Sequence, residues 1–266
     1  MKKATLILSC LVTLVFSCKE KDKKEAITTE EIEVNKKDVT VAKEEVTIHP
    51  IEHATLVVDY KDKTIYIDPT LGAAAFEGQK KADIILITDI HGDHYSQETL
   101  NELPTDNALI IAPKAVVEQM PEDMGKKVHI LNNDDSLDTL GITVKAIPMY
   151  NLREEALKFH TKGRGNGYVL TLGEERLYFS GDTEDIPEMR ALENIDKAFV
   201  CMNLPYTMTV ESAADGVLAF APKKVYPYHY RGNPDVSDVS LFKELIEKGN
   251  PDIEVVQLDW YPKDDF

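Results

Sequence analysis

Cysteine is scarce. The 266-residue chain has three, Cys10, Cys18 and Cys201, and two of them lie in its first stretch, so no disulfide framework is available. Basic residues are in deficit, 30 Lys and Arg against 47 Asp and Glu, giving a formal net charge of -17 and a pI near 4.8. Nucleic-acid binding leaves a basic footprint, so no nucleic-acid partner is expected. An anionic small-molecule substrate stays compatible with this acidity, because a bound metal inverts the local potential. No apolar run reaches the roughly 20 residues of a membrane-spanning helix. Internal repeats are absent. What is present is 43% hydrophobic residues, enough for one sizeable core and short for two ordinary domains.

The chain opens MKKATLILSCLVTLVFSC. Two lysines, an apolar run over residues 4–16 and Ser17-Cys18 have the layout of a secretory signal. The end of this stretch, VFSC, resembles a bacterial lipobox, in which Cys18 is lipidated and becomes the mature N-terminus. An ordinary signal peptide with a chance cysteine is the alternative. The expectation is an exported lipoprotein, anchored to a membrane of the cell envelope through Cys18, in the periplasm or at the outer membrane. Residues 1–18 are then the signal peptide. Residues 19–45, mostly charged and without aromatics, are expected to be a disordered tether, and residues 46–266 a single folded domain.

Within that domain HATLVVDY and KTIYID flank KDK, and GYVLT and RLYF flank LGEE; both read as hairpins. DIILIT is apolar throughout, as a strand buried on both faces would be. ALIIA, VHIL, ITVKAIPM, AFVCM, KVYPYH and IEVVQL are further strand candidates. Helices are predicted after Ser96 and Thr209 as N-caps, in short form over PKAVVEQM and IPEMRALENI, and over SLFKELIEKG, ending at Gly249. The pattern alone gives a mixed α/β domain.

TDIHGDH, residues 88–94, follows the DIILI run directly. Asp89, His91, Asp93 and His94 lie close enough for one loop to aim several side chains at one point, and imidazole with carboxylate suits Zn²⁺, Mn²⁺ or Fe. A polar turn capping the next helix is a poor account of two His and two Asp. Further candidates stand at strand ends: Asp182 in YFSGDT, His229 in YPYHY, and His160 in the loop KFHTKGRG. Open α/β sites gather at such ends.

TDIHGDH, SGDT and PYHY, in this order and spacing, resemble the metallo-β-lactamase superfamily from about Val46 to the C-terminus. MNLPYTMT and HYRG resemble the branch of ascorbate-6-phosphate lactonase and its β-lactamase-like hydrolase relatives. The resemblance implies an α/β fold, the αββα sandwich, with a two-metal site at one sheet edge. It implies Asp93, His94 and His229 as ligands of one metal, Asp182 as the bridging carboxylate, and His91 in the other position. Asp68 matches an early structural aspartate. Asp89 stands where a histidine is expected, and Tyr150-Asn151 stand where another is expected, with His160 a few residues on. An oxygen donor at residue 89 shifts preference toward Mn²⁺ or Fe²⁺, or leaves a weakened first position beside one firmly held metal.

The expected activity is metal-dependent hydrolysis, with Asp93 orienting the attacking water or taking its proton. A lactone, ester, phosphodiester or amide would serve as substrate, a β-lactam less readily. A non-catalytic ligand-binding lipoprotein that retains the fold is the rival from another class. Lys162, Arg164 and Arg231 lie near the ligand loops and are candidates for holding an anionic substrate group; as solvated loop charges they would do nothing. His53, at a strand start, reads as packed or exposed. His49 and His129 are left outside the site, and Cys201 reads as core.

Overall fold

The computed structural model of the protein describes residues 45–262. The expected signal peptide and nearly all of the expected tether lie outside the described residues. One sheet runs β1 (Val46–Glu52), β2 (Thr55–Tyr60), β3 (Lys63–Ile67), β4 (Ile84–Leu86), β5 (Leu109–Ala112) and β6 (His129–Ile130), antiparallel up to β3 and parallel from there. The other runs β7 (Ser136–Thr139), β8 (Ile142–Met149), β9 (Gly165–Leu172), β10 (Glu175–Phe179), β11 (Lys197–Val200), β12 (Lys224–Pro227) and β13 (Glu254–Val255), antiparallel up to β10 and parallel beyond. The helices are α1 (Gln97–Glu102), α2 (Lys114–Val117), α3 (Glu122–Gly125), α4 (Pro187–Arg190), α5 (Val210–Phe220) and α6 (Val239–Gly249). No helix among the described residues is long and apolar enough to cross a membrane.

Strand alternation sorts the apolar residues into layers. Leu56, Val58, Ile65 and Ile67 point between the sheets and join Val144, Tyr168 and Leu170 of the second sheet. Their neighbours Val57 and Tyr66 point the other way and pack with Leu100 and Val116 of α1 and α2. β4 serves both layers: Ile84 and Leu86 face the inner core and Ile85 the outer one, all nearly inaccessible. That is why its sequence shows no polar interruption. On the far side Phe220 of α5 sets its ring edge-on to Tyr178 of β10 at 5.9 Å. The layering is the expected αββα sandwich.

The predicted caps form. Ser96 Oγ accepts from Thr99 N and Thr209 Oγ1 from Ser212 N, each at 3.1 Å. α6 begins at Val239, one residue earlier than expected, because Asp238 Oδ1 accepts from Ser240 N and Leu241 N. β7 has no counterpart in the sequence reading: SLDT is a polar, half-exposed edge strand with no apolar alternation to reveal it. IEVVQL contracts to the two residues of β13.

The ends of β3, β4, β8, β10, β11 and β12 and the starts of β2 and β9 meet along one edge of the sandwich. Polar side chains are buried there.

Candidate active site

The site grows from Asp68, just past β3. Its carboxylate accepts from Thr88 N at 2.7 Å and Thr88 Oγ1 at 2.6 Å, and faces His94 Nδ1 at 2.7 Å. This clamps the imidazole from behind and turns Nε2 into the site. There His94 Nε2 lies 3.1 Å from His229 Nε2, 3.5 Å from Asp182 Oδ2 and 3.9 Å from Asp93 Oδ1. His229, in a left-handed conformation with φ 46° at the end of β12, reaches Asp182 Oδ1 at 3.0 Å and Asp93 Oδ2 at 3.5 Å.

Asp89, His91 and His160 make the second group. His91 Nδ1 is 2.6 Å from Asp89 Oδ2. His160 comes from the loop between β8 and β9 and is buried. Its Nδ1 lies 3.2 Å from both Asn151 Nδ2 and Tyr206 O, and its Nε2 points at Asp182 Oδ2, 3.2 Å away, and Asp89 Oδ2, 3.8 Å away. Asn151, which stands where the resemblance places a histidine, also donates to Ala156 O and Tyr206 O. It backs His160, and His160 supplies the imidazole. Asp182 lies between the two groups, with one oxygen toward His229 and the other toward His160 and His94.

Three trios each bring one ligand-type atom per residue within 4.8 Å of the others: Asp89–His91–His160, His94–Asp182–His229 and His53–Asp93–His229. Within them the buried atoms Asp182 Oδ1 and His160 Nε2 make no well-aligned hydrogen bond, although His229 Nε2 and Asp182 Oδ2 face them at 3.0 and 3.2 Å. Buried polar atoms without partners are costly. Facing imidazole nitrogens and carboxylate oxygens are the donor set that suits divalent cations. The residues therefore fit a metal centre, with Asp182 between the two groups.

His53 is the residue that sequence reasoning set aside. It sits in the turn between β1 and β2 with φ 58°, edge-on to His229 with ring centres 3.8 Å apart. Its Nε2 is 3.4 Å from Asp93 Oδ2, and its Nδ1 is held by Tyr261 Oη at 2.8 Å. Burial, helped by the charge of His229, pushes its pKa down to about 4, so the ring is neutral near pH 7. A signal for it existed. β2 runs antiparallel to β3, so its start lies at the edge where Asp68 follows β3.

Asp182 and Asp89 remain ionised, whereas burial pushes the pKa of Asp68 up. Burial works against Asp182, but the charges of His229, His94 and His160 outweigh it and hold its pKa well below the carboxylate range. Burial opposes Asp89 likewise, and His91, His94 and Arg164 outweigh it.

The three expected anion holders are placed differently. Arg164 turns inward onto Asp89, with Nη2 2.9 Å from Oδ2. Lys162 Nζ lies 2.6 Å from Glu188 and 3.2 Å from Tyr150 Oη. Arg231 stacks over Tyr261 at 4.6 Å with Glu52 3.5 Å away, and borders a hollow that also reaches His53 and Asp93. A cavity of about 390 Å³ opens on the centre, with His91, Asp93, His160 and Asp182 on its floor and Phe159, Asn203 and Tyr206 on its walls. Asn203 and Tyr206 belong to MNLPYTMT, which carries the branch resemblance without assigning either a role, and Phe159 has no signal in the sequence.

Residues 47–229 match the family model described as β-lactamase superfamily domain. A UPF0173 metal-dependent hydrolase of Thermococcus onnurineus is 30% identical over 193 residues, which is 69% of this chain and 85% of the relative. The UPF0173 metal-dependent hydrolase YtkL of Bacillus subtilis is 29% identical over 209 residues, 74% of this chain and 91% of the relative. Among solved structures, a proposed metal-dependent hydrolase from Parabacteroides distasonis has a TM-score of 0.73 at 35% identity, covering 82% of this chain and 94% of the other. The metallo hydrolase Igni18 of Ignicoccus hospitalis has a TM-score of 0.67 at 21% identity, covering 80% and 94%, a likeness of fold alone. Cluster, fold and relatives agree: the chain belongs to the β-lactamase superfamily and is one of its metal-dependent hydrolases.

Proposed function

We propose that the protein hydrolyses a small lactone or ester at a two-metal centre. The observation that carries this reading is Asp182, set between the Asp89–His91–His160 group and the His94–His229 pair at the floor of an open cavity. Asp89, His91 and His160 would hold one ion, Asp93, His94 and His229 the other, with Asp182 toward both. Divalent zinc, manganese or iron, when bound, supplies Lewis acidity and an acidified water.

The chain's own groups do the rest. Asp93, with 42% of its side chain exposed at the cavity floor, orients the attacking water and receives its proton. His53 steadies Asp93 from behind. Asn203 offers an amide donor to the oxygen on which negative charge develops. Phe159 and Tyr206, edge to face at 5.2 Å, form an apolar wall that keeps bulk water off the reacting carbonyl. Lys162 and Arg164 are engaged by Glu188 and Asp89 and do not present their charge to the cavity. A permanently charged phosphodiester would find less support here than a neutral carbonyl.

The test is a substrate panel on protein stripped by chelator and reloaded with Zn²⁺ or Mn²⁺. Metal-dependent cleavage of lactones or p-nitrophenyl esters is expected. Preference for bis-p-nitrophenyl phosphate would overturn the substrate class. An intact fold that takes up no metal and turns nothing over would favour the binding-protein reading.

The proposal extends to location, an exported lipoprotein held in the cell envelope by a lipid on Cys18, supported by the apolar run ending in VFSC and the charged stretch after it. Mass spectrometry of the mature protein from its host is expected to show a diacylglyceryl group on Cys18. An N-terminus generated elsewhere would refute it.

A further inference from the structure

Asp89 has a partner that the sequence did not announce. Arg164 Nε donates to Oδ1 at 3.1 Å and Nη2 to Oδ2 at 2.9 Å, the two-pronged contact in which a guanidinium matches a carboxylate best. Asp89 is fully buried and only 17% of the Arg164 side chain is exposed. The guanidinium also donates to Phe159 O. The placement is built into the backbone. Asn166 N donates to Thr88 O at 2.9 Å. A Cβ on Gly165 would lie 2.9 Å from Thr88 O and 3.2 Å from Asp89 Oδ1, so the approach needs glycine there. The start of β9 is thereby pressed onto the loop that carries Asp89. On its other side the carboxylate keeps Oδ2 toward His91 and His160.

The geometry points to Asp89 and Arg164 acting as one charge-balanced unit that offers the first metal position an oxygen ligand with no net charge, electrostatically a substitute for a neutral imidazole. This rests on the two-metal reading above. Asp89, Asp93 and Asp182 bring three negative charges to the centre, and Arg164 returns the sum to two. Without Arg164, Asp89 would be a buried carboxylate with imidazole partners alone, an expensive arrangement. Arg164 is thus a positioning residue for the metal, acting through Asp89.

The test is competition of chelator-stripped protein with a calibrated chelator for Zn²⁺ and Mn²⁺, with anomalous diffraction to assign each position. Asp89→His alone leaves a buried guanidinium beside the cation, and first-position affinity should fall roughly tenfold or more. Arg164→Gln should tighten it. The double variant Asp89→His/Arg164→Gln should return to the wild-type range with preference moved toward zinc. Arg164→Lys, which keeps the charge and loses the fork, should stay near wild type. If Arg164→Gln does not fold, the comparison of Asp89→His with the double variant decides alone. A double variant as weak as Asp89→His, or an Asp89→His that binds like wild type, overturns the inference. Wild-type protein with no metal at either position sinks the two-metal reading itself.

Discussion

Asp182→Ala is expected to abolish turnover and to strip metal from both positions, whereas Lys162→Ala should leave metal content unchanged and activity within a few-fold. Asp182 is the carboxylate that touches both groups, with Oδ1 3.0 Å from His229 and Oδ2 3.2 Å from His160 and 3.5 Å from His94. Alanine leaves three imidazoles without the carboxylate they share and removes one of the three negative charges that Asp89, Asp93 and Asp182 bring to the centre. A loss of three orders of magnitude or more, roughly, is what removal of a shared metal clamp implies. Lys162 is exposed and bound to Glu188 and Tyr150, a surface contact of small energetic consequence. Inductively coupled plasma mass spectrometry of the two purified variants, with turnover on whichever ester or lactone the panel selects, makes the comparison. Equal metal content in both would contradict the role given to Asp182.

Much of this centre is legible along the chain because its elements announce themselves locally. Four ligand-type residues directly after an apolar strand, then Asp182 and His229 at later strand ends, are short-range patterns, and the fold brings them together through parallel strands whose ends share one edge. What stayed hidden depends on long-range pairing. His53 reaches the site because a tight turn with a left-handed residue swings it under His229, and the sequence there shows only a histidine ahead of an apolar run. Arg164 sits among Lys162, Gly163 and Gly165 and reads as a holder of an anionic substrate group or as a solvated loop charge, not as a partner of Asp89. Its burial follows from the docking of β9 onto residues 88–89, a contact between the two sheets. His160 is a candidate ligand already in the sequence, but the contact with Asn151 that places it is not legible there. A histidine eleven residues past the end of β8 has no periodic reason to enter the site, and it does so because Asn151 and Tyr206 O hold its Nδ1.

Asp68→Asn separates structure from chemistry at the His94 position. Asp68 has φ 45°, a left-handed conformation that asparagine tolerates well, so backbone strain is not introduced. Asn keeps an oxygen for Thr88 N, whose bond to Oδ1 is 2.7 Å. It places its amide nitrogen where Oδ2 accepts from Thr88 Oγ1 and faces His94 Nδ1. The threonine hydroxyl rotates to accept, and the stability cost should stay near 1–3 kcal/mol, the range for one disturbed buried hydrogen bond. The imidazole responds differently. A donor at Nδ1 favours the tautomer with the proton on Nε2, the atom that faces His229 and Asp182. A protonated nitrogen cannot bind a cation, so affinity at the position of His94 should fall on the order of 10- to 100-fold. The first position, held by Asp89, His91 and His160, should change far less. Nitrogen-15 imidazole spectra report the tautomer and chelator competition reports the affinity. A variant that melts lower yet binds metal as the wild type does would show that Asp68 holds the fold and not the histidine.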